Sequence, residues 1–420
     1  MTPHLSHGSP LRAFAHRPYA LFMAGHGLSL CGSWMQTLAR AWLVYRLTGS
    51  PFLLGLVEFL NRAPIFFFGV LGGLFADRLP RYRTMVVTQT LLLLNAGLLA
   101  ALTMSGAVTI EWVMALAVCE GLIFVVEIPV RQSFMTGLVP KEDIPSAIGL
   151  NSTLFNAARV IGPSIAGLLV GLFGEGLCFA LNAASYAVVL GCLAALVMPP
   201  VVQAEDGHPL HLLKEGFAYA WRTAHVRSTL ALVALLSIVA MPFATLLPVF
   251  AGEVLRGGPK DLGLLMAATG VGALAGALHL ARHRSVRGLP RAIGVAAALF
   301  GAGLLAMSAA STLWVLLPVL TVIGFAMVNS FAAVNTLLQS LAPDGLRGRV
   351  VGLYASLNLG MTMFGNLLGG SSAALLGAPA TVAIGGILTV LGAAIYWKVR
   401  ADLGAEEPLL APEPSALPPA

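Results

Sequence analysis

Long apolar runs alternate with short polar stretches along almost the entire chain. About twelve of these runs reach the roughly 20 apolar residues that a membrane-spanning helix requires. The pattern therefore predicts an all-α polytopic membrane protein with twelve transmembrane helices. The predicted helices cover residues 18–46, 52–76, 84–106, 109–131, 146–173, 177–198, 228–253, 261–281, 290–309, 312–339, 347–376 and 379–399.

The composition agrees with this pattern. With 58% hydrophobic and 10% charged residues and a mean hydropathy of +0.87, the 420-residue chain is too apolar for an ordinary soluble domain. The first 17 residues lack the short apolar core and cleavage site of a signal peptide, so we expect the first helix to act as the insertion signal. All four cysteines lie inside predicted helices without metal-ligand spacing, and we predict neither a metal site nor a cofactor.

Basic residues concentrate on one side of the predicted membrane. Of the 24 lysines and arginines, three fall in outer loops and three inside helices, which leaves 18 on the inner loops and terminal segments. This bias predicts that both termini lie in the cytoplasm. Since the positive charge follows membrane topology, the pI of about 9.4 does not indicate a nucleic-acid partner.

The two halves of the chain resemble each other. Residues 138–167 align with 341–370 at a constant shift of 203, which matches one proline and three glycines, and the same shift carries Gly73 to Gly276. The shift is close to half of the chain length, as a duplicated six-helix unit requires. We therefore predict two pseudo-symmetric six-helix bundles arranged as parallel repeats, the alternative being a chance coincidence of glycines.

The repeat divides the chain into four parts. We predict an N-terminal bundle over 1–198, a cytoplasmic linker with a short amphipathic helix over 199–227, a C-terminal bundle over 228–400, and a disordered cytoplasmic tail over 401–420.

The segment GGLFADRLPRYR at 72–83 combines glycines, one aspartate and three arginines between two apolar runs. It resembles the loop signature between the second and third helices of the major facilitator superfamily. The residues that match are Gly73, Asp77, Arg78 and Arg81. Pro80 and Tyr82 depart from the signature, at positions where glycine and a basic residue are usual.

In that superfamily the loop is understood as a cytoplasmic latch between the two halves. The resemblance implies that the Asp77 carboxylate approaches the N-terminus of the eleventh helix near Arg347, where free N–H groups and the helix dipole favour an anion. Leu280 at the equivalent position of the second half makes the latch one-sided. The alternative is a solvated aspartate in an ordinary basic loop.

Six charged residues fall inside predicted helices of the first half, where they need partners or a water-filled cavity. They are Arg40, Glu58, Arg62, Glu120, Glu127 and Arg159. Counting from the helix ends predicts a pair between Arg40 and Glu58 and another between Glu120 and Arg159. Glu58 and Arg62 are also spaced to meet on one helix face.

Glu120 or Glu58 is a candidate proton carrier. Burial favours the neutral form of a carboxyl and a neighbouring arginine favours the charged form, so a cycle that alternates these environments would load and release a proton. The alternative is a permanent ion pair that only fixes helix packing. His26 is a weaker candidate, since such a histidine is more often a satisfied polar group at a helix interface.

The fifth predicted helix contains Gly162, Pro163 and Gly167 in the stretch AARVIGPSIAG. This stretch resembles the glycine-proline signature of antiporters in the superfamily, although Ala166 stands where a glycine is usual, and it favours export. A fourth-helix arginine that is common in drug–proton antiporters is missing, which puts the usual proton relay in doubt. Together with EIPVRQSF at 127–134, the sequence looks most like the bacterial branch that contains the enterobactin exporter and related macrolide and drug efflux proteins.

The resulting prediction is a monomeric secondary transporter of the bacterial inner membrane that exports an amphipathic small molecule (a drug, siderophore or secondary metabolite) by alternating access, with protons as the coupling ion and membrane lipid around it. Its central cavity is expected between helices 1, 2, 4, 5, 7, 8, 10 and 11. The candidate lining residues are Trp34, Gln36, Phe155, Asn156, Asn329, Asn335, Asn358 and Met363.

Other functions have less support in the sequence. Uptake of a small metabolite is the alternative within the same fold. The chain lacks HExxH, GxSxG and GxxxxGK[ST], so an intramembrane enzyme or an ATP-driven pump has no recognisable motif. A sensor or assembly partner without transport activity is a third possibility.

Overall fold

The computed structural model describes residues 11–196, 219, 221–282, 288–343 and 346–404, except for the side chains of 70, 71, 74–77 and 401–404. Most of the predicted linker and residues 405–420 of the predicted tail therefore lie outside the described residues. The last helix runs to Gly404, so the tail prediction is wrong for residues 401–404.

Twelve long helical segments run through the described residues, and they match the predicted ones to within a few residues at most ends. They are α1 Arg17–Thr48, α2 Pro51–Arg78, α3 Arg81–Met104, α4 Ile110–Thr136, α5 Ile144–Phe173, α6 Glu175–Ala194, α7 Ala224–Val254, α8 Pro259–Arg282, α9 Leu289–Ala309, α10 Leu313–Leu341, α11 Arg347–Leu376 and α12 Ala378–Gly404. Eleven of them are long and apolar enough to cross a membrane, and the exception is α1, which contains three arginines. The chain is a multi-pass membrane protein.

Glycines in the left-handed region make the tight connections on one side of the molecule. Gly49 ends α1 with φ of 59°, and its N–H bonds to Tyr45 O. Gly174 and Gly377 have φ of 81° and 85°, and each is the single residue between two long helices. We call this side, where α1 ends and α2 begins, the far face, and the side where α1 begins and α2 ends the basic face.

α7 differs from its neighbours because its hydrogen bonding is irregular. It contains π-turns over Leu236–Ala240 and Phe250–Val254, separated by a 3-10 turn over Met241–Phe243. Pro242 and Pro248 lack the N–H groups that a regular α-helix would use here. The irregular part of α7 lies beside the cavity described below.

The helices pack in two sets. Within the first set, α2 lies against α4, α3 against α4 and α6, and α1 against α5 and α6. Within the second, α8 and α9 lie against α10, α9 against α12, and α7 against α11. The most extensive contacts between the sets join α2 to α11 and α5 to α8.

Equivalent contacts recur in the two sets. At Gly162 of α5, a Cβ would lie 2.9 Å from Cys31 O of α1, and at Gly365 of α11 it would lie 2.6 Å from Ser237 O of α7. Glycine is required at both positions because a side chain would meet backbone. The pairs 162 and 365 fit the predicted shift of 203 residues.

The crossings between the sets also correspond, but with a different shift. A Cβ on Gly167 of α5 would lie 2.8 Å from Gly263 Cα of α8, and one on Gly370 of α11 would lie 3.1 Å from Gly55 Cα of α2. Gly55 and Gly263 are 208 residues apart, so α8 is displaced by five residues from the predicted register. The shift returns to 203 residues at α10, because a Cβ on Gly121 of α4 would meet Asn61 O of α2 and one on Gly324 of α10 would meet Thr269 O of α8.

This displacement corrects two predicted equivalences. Gly73 does not correspond to Gly276 but to Ala281, and Asp77 corresponds to Ser285 instead of Leu280. The side chain of Asp77 and all of Ser285 lie outside the described residues, so the predicted latch stays a prediction.

The two sets touch at the far face and separate toward the basic face. Near the far face, Gly167 of α5 contacts Gly263 of α8. Near the basic face, α5 carries Gly149 and α11 carries Gly352, and a Cβ at either position would have no atom of the described neighbouring residues within 4 Å. The structure therefore has a cleft that opens at the basic face.

A buried aspartate fixes the start of α1 to the start of α5. Asp143 lies 3.0 Å from Arg12 Nε and 2.7 Å from His16 Nε2, and its side chain is 4% exposed. We expect Asp143→Asn to lower the free energy of unfolding by about 1–2 kcal/mol, because Arg12 and His16 are each about a third exposed and water screens the loss.

The measurement is the midpoint of thermal unfolding in detergent, which we expect to fall by about 2 °C or more. Glu142→Gln, on the exposed neighbouring side chain, is the matched control. Equal midpoints for the two variants would show that the contact contributes nothing to stability.

Candidate functional site: a cavity beside a buried ionic network

A cavity of about 190 Å³ lies between the two sets of helices. α1, α2 and α5 line one side, and α7, α8, α10 and α11 line the other. The predicted cavity helices are therefore confirmed except for α4, which contributes no side chain to this lining. The first side carries Trp34 and four charged groups, and the second is mostly apolar, with Met241, Phe243, Leu247, Leu262, Met266 and Met327.

Behind the first side, three donors converge on Glu120 of α4. Gln36 Nε2 donates to Glu120 Oε1 at 2.8 Å, Asn61 Nδ2 donates to Oε2 at 2.8 Å, and Arg40 Nη1 makes a direct ion pair with Oε2. The side chains of Arg40 and Glu120 are less than a tenth exposed. A carboxylate is retained in an apolar interior where donors match its oxygens, as Gln36, Asn61 and Arg40 do for Glu120, whereas Arg40 Nε has no hydrogen-bond partner among the described residues.

The network continues into α6. Asn182 Nδ2 donates to Gln36 Oε1 at 2.8 Å, and Ser185 Oγ donates to Asn182 O at 2.7 Å. The Gln36 amide is thereby fixed, with its oxygen toward Asn182 and its nitrogen toward Glu120. Sequence reasoning missed Asn61 and Asn182, because an asparagine in an apolar helix gives no sign of its partner.

Arg40 also connects the network to the cavity. Arg40 Nη2 lies 3.4 Å from Glu58 Oε1, and Arg62 Nε lies 3.6 Å from Glu58 Oε2. The structure thus brings together Arg40, Glu58 and Arg62 as the sequence predicts. Glu58 lines the cavity with 18% of its side chain exposed, whereas Glu120 is sealed behind it.

The predicted pair between Glu120 and Arg159 is wrong. Arg159 projects into the cavity, where Nη2 lies 3.8 Å from Met327 Sδ and the guanidinium lies 5.9 Å from the Trp34 ring centroid. The depth of a residue in the membrane can be counted from the end of its helix. Which neighbouring helix its side chain faces cannot be counted, because this depends on how the whole helix is rotated in the bundle. Here α5 turns Arg159 toward α10 and α1, away from α4.

A second ionic cluster lies nearer the basic face. Glu127 Oε1 accepts hydrogen bonds from Arg131 Nε at 2.8 Å and from Gln89 Nε2 at 3.4 Å, and Arg131 Nη1 lies 3.4 Å from His26 Nε2. Arg131 lies inside α4, which continues to Thr136. The spacing of Glu127 and Arg131 by four residues was the available signal.

Of the eight predicted lining residues, only Trp34 lines this cavity. Gln36 belongs to the buried network, and Met363 is fully buried in helix packing. Asn329 is bonded to Phe325 O at 2.9 Å within its own helix. The remaining four residues, Phe155, Asn156, Asn335 and Asn358, lie on the basic-face side of the cavity, with Phe155 43% exposed and its ring 5.8 Å from that of Trp34.

The fifth-helix motif makes the close approaches described above. Gly162 faces α1, Gly167 faces α8, and Pro163 lies inside α5 between them. Near the predicted latch, Gly73 has no atom of the described neighbours within 4 Å of a Cβ, and the Arg78 side chain is exposed. Arg81 begins α3, with Nη1 close to Gly137 at the end of α4.

Among the described residues of the second half, the ionic network has no counterpart. With the shift of 208 residues for α2, Glu58 corresponds to Met266, and with the shift of 203 for α4, Glu120 corresponds to Ile323. Phe243 and Met266 line the same cavity from the opposite side. The cavity is therefore ionic on one wall and apolar on the other.

Comparison with known proteins identifies the family. The family model described as transmembrane secretion effector, within the major facilitator superfamily, matches residues 8–415. The chain belongs to this family. The resemblance predicted from the latch segment and the fifth helix is thereby confirmed, and the protein is a membrane transporter and not an enzyme.

Two curated relatives cover most of the chain. The staphyloferrin A transporter of Staphylococcus aureus (strain NCTC 8325 / PS 47) is 24% identical, over 91% of this chain and 96% of its own length. The enterobactin exporter EntS of Shigella boydii serotype 4 (strain Sb227) is 25% identical, over 83% of this chain and 84% of its own length.

A solved structure supports the fold. The bacterial homologue of the human lysosomal transporter Spinster, in an inward-facing and unoccupied conformation, superposes with a TM-score of 0.72 at 15% identity. The match covers 93% of this chain and 98% of that one. At this identity the likeness concerns the fold alone.

Proposed function

We propose that this transmembrane secretion effector exports an amphipathic small molecule across a bacterial inner membrane in exchange for protons, with both termini in the cytoplasm. The observation that carries the proposal is a cavity between two helix sets whose ionisable groups all belong to one set. Such a cavity holds an amphipathic cargo against an apolar wall and beside groups that can exchange a proton.

Alternating access is the proposed mode of movement. In it, α1–α6 and α7–α12 act as two pseudo-symmetric six-helix bundles, related by an axis along the membrane normal. The recurring glycine contacts of α5 with α1 and of α11 with α7 support this symmetry, as do those of α5 with α8 and α2 with α11. Rocking about the central cavity would open the far face and close the basic face, where Asp77 would engage the start of α11.

Export is favoured over uptake by the relatives. EntS is an exporter by name, and it shares the family and most of its length with this chain. The solved structure of the nucleoside transporter NupG superposes with a TM-score of 0.73 at 14% identity. At this identity the likeness concerns the fold alone and does not fix the direction of transport. Uptake of a metabolite therefore remains the second candidate.

Protons are the proposed coupling ion, and Glu58 is the proposed entry point. Glu58 faces the cavity, and it shares Arg40 with the sealed Glu120. Protonation of Glu58 would leave Arg40 paired with Glu120 alone, and loss of the proton would draw Arg40 back toward the cavity. The proton thereby changes the charge that a cargo meets.

Transport in inside-out membrane vesicles tests the proposal. The vesicles are energised to make their interior acidic and offered N-phenyl-1-naphthylamine, 1-naphthaleneacetate or ethidium, which are neutral, anionic and cationic amphipaths. We expect at least one probe to accumulate only in vesicles with the protein, and to leave when a protonophore collapses the gradient. Accumulation in right-side-out vesicles instead would establish uptake, and no gradient-dependent movement in either would overturn the proposal.

We expect Glu58→Gln to lose most of the dependence of transport on the proton gradient, by about tenfold, while exchange of the probe across the membrane without a gradient continues. The reason is that a glutamine cannot release a proton to either side. Glu111→Gln, which neutralises an exposed glutamate at the far face, is the matched control. Unchanged gradient dependence in Glu58→Gln would exclude Glu58 as the proton site.

A further inference from the structure

Among the residues that the structure describes, one cation of the cavity has no counter-charge. Arg159 lines the cavity midway along α5 and is largely buried. Its contacts are the Met327 sulfur at 3.8 Å and the Trp34 ring, whose centroid lies 5.9 Å from the guanidinium carbon. Among the side chains that the structure describes, no carboxylate lies within ion-pair distance of Arg159.

The nearby carboxylates are already matched. Glu58 lies between Arg40 and Arg62, and Glu120 accepts from Arg40 and two amide donors. Three arginines thus line the cavity, while two carboxylates offset them, one in the lining and one behind it. The site carries an excess of one positive charge, and that excess is located at Arg159.

An unpaired cation at this depth is costly to retain. A thioether sulfur is a poor acceptor, and an aromatic ring offsets only part of the lost hydration. The fork of donors on a guanidinium matches a carboxylate in a bidentate manner. A ligand that carries a negative charge would offset the free-energy cost of keeping Arg159 charged in the cavity.

We propose that the cavity binds cargo that carries a carboxylate beside an aromatic or other flat apolar group, with the carboxylate on Arg159. The apolar group would lie against Trp34 on the first side and Met241, Phe243 and Met266 on the second. This inference names the substrate class and rests on the proposed function. At about 190 Å³ the cavity is smaller than the roughly 300 Å³ of typical drug sites, so a small ligand or one end of a larger ligand fits it.

Binding of matched probes to the purified full-length protein tests the charge preference. The probes are 1-naphthaleneacetate, its neutral amide and 1-naphthylmethylamine, which share one ring system and differ in charge. We expect the wild-type protein to bind the carboxylate about tenfold or more tightly than the amide, equivalent to about 1.4 kcal/mol. Arg159→Gln should bring the two affinities together while the amide still binds.

The matched control is Arg282→Gln, which removes one positive charge from an exposed position at the end of α8 and should leave the preference intact. A wild-type protein without preference for the carboxylate would overturn the inference. So would an Arg159→Gln protein that keeps the preference, or one that loses affinity for all three probes equally, since the arginine would then only support packing.

The same probes separate this inference from the proposed function. If inside-out vesicles accumulate the amide or the amine but not the carboxylate, the substrate class is wrong while export stands. If the purified protein binds the carboxylate through Arg159 but vesicles move none of the probes, carboxylate recognition stands and export fails. If the protein neither binds nor moves any probe, both fail.

Discussion

Replacing Glu120 by glutamine is expected to abolish proton-driven export. Two oxygens of Glu120 accept from Gln36, Asn61 and Arg40, and a glutamine would turn an NH₂ group toward at least one of these donors. Arg40 would keep an ion pair only with Glu58, at the longer distance of 3.4 Å. Removing one partner of a buried ion pair costs about 3–5 kcal/mol, because the other charge is left uncompensated. If this cost falls on the conformations that exchange the proton, gradient-driven export falls by about a hundredfold or more.

The measurement is probe accumulation in energised inside-out vesicles, with the amount of folded protein determined by size-exclusion chromatography. Glu120→Asp, which keeps the charge, should retain part of the activity and separates loss of charge from loss of folding. Glu142→Gln is the control for neutralising a glutamate on the exposed surface. Normal efflux by a Glu120→Gln protein would refute any role of this carboxylate in coupling.

A valine in place of Gly263 is expected to hold the far face open. Its Cβ would lie 2.8 Å from Gly167 Cα and 2.8 Å from Pro163 O, and both are backbone atoms that cannot turn away. Overpacking of this kind costs about 1–3 kcal/mol, so the closed far face should lose about tenfold or more in population. Export should fall by a similar factor, because the conformation seen here becomes hard to reach.

A single cysteine at Thr37, which lines the cavity, reports this shift in an otherwise cysteine-free protein. We expect a membrane-impermeant maleimide added at the far face to label it faster in Gly263→Val than in the parent. The control is Gly97→Val in α3, where no atom of the described neighbours lies within 4 Å of a Cβ. Equal labelling of the two valine variants would show that the glycine contact does not close the far face.

The helices themselves follow from local sequence. Apolar runs of at least about 20 residues fix where the chain crosses the membrane, and positive-φ glycines such as Gly49 and Gly174 fix where it turns. The residue shift that relates the two halves can be predicted from the sequence only where neither half has gained or lost residues. The shift is 208 residues for α8 but 203 for α10 and α11, which moved the second-half equivalent of Gly73 to Ala281 without any sign in the glycine pattern.

The positions of the charges were determined by the sequence, and their partners were not. Arg40 and Glu58 could be paired from their common depth, and Glu58 and Arg62 from their spacing, because both arguments need only the rise along a helix. The partner of Glu120 depends on how α1, α4 and α5 rotate about their axes. Packing of the whole bundle sets that rotation.

The sequence by itself thus determined the membrane class, the number and limits of the long helices, the family, and the six charged positions inside the helices of the first half. Only the tertiary structure decided that Arg40 pairs with both carboxylates and that Arg159 has no carboxylate partner among the described residues. The physical reason is that hydropathy and helical rise are properties along the chain, whereas ion pairs form between helices. Rotating a helix by the angle of one residue, about 100°, turns a side chain from one neighbouring helix to another.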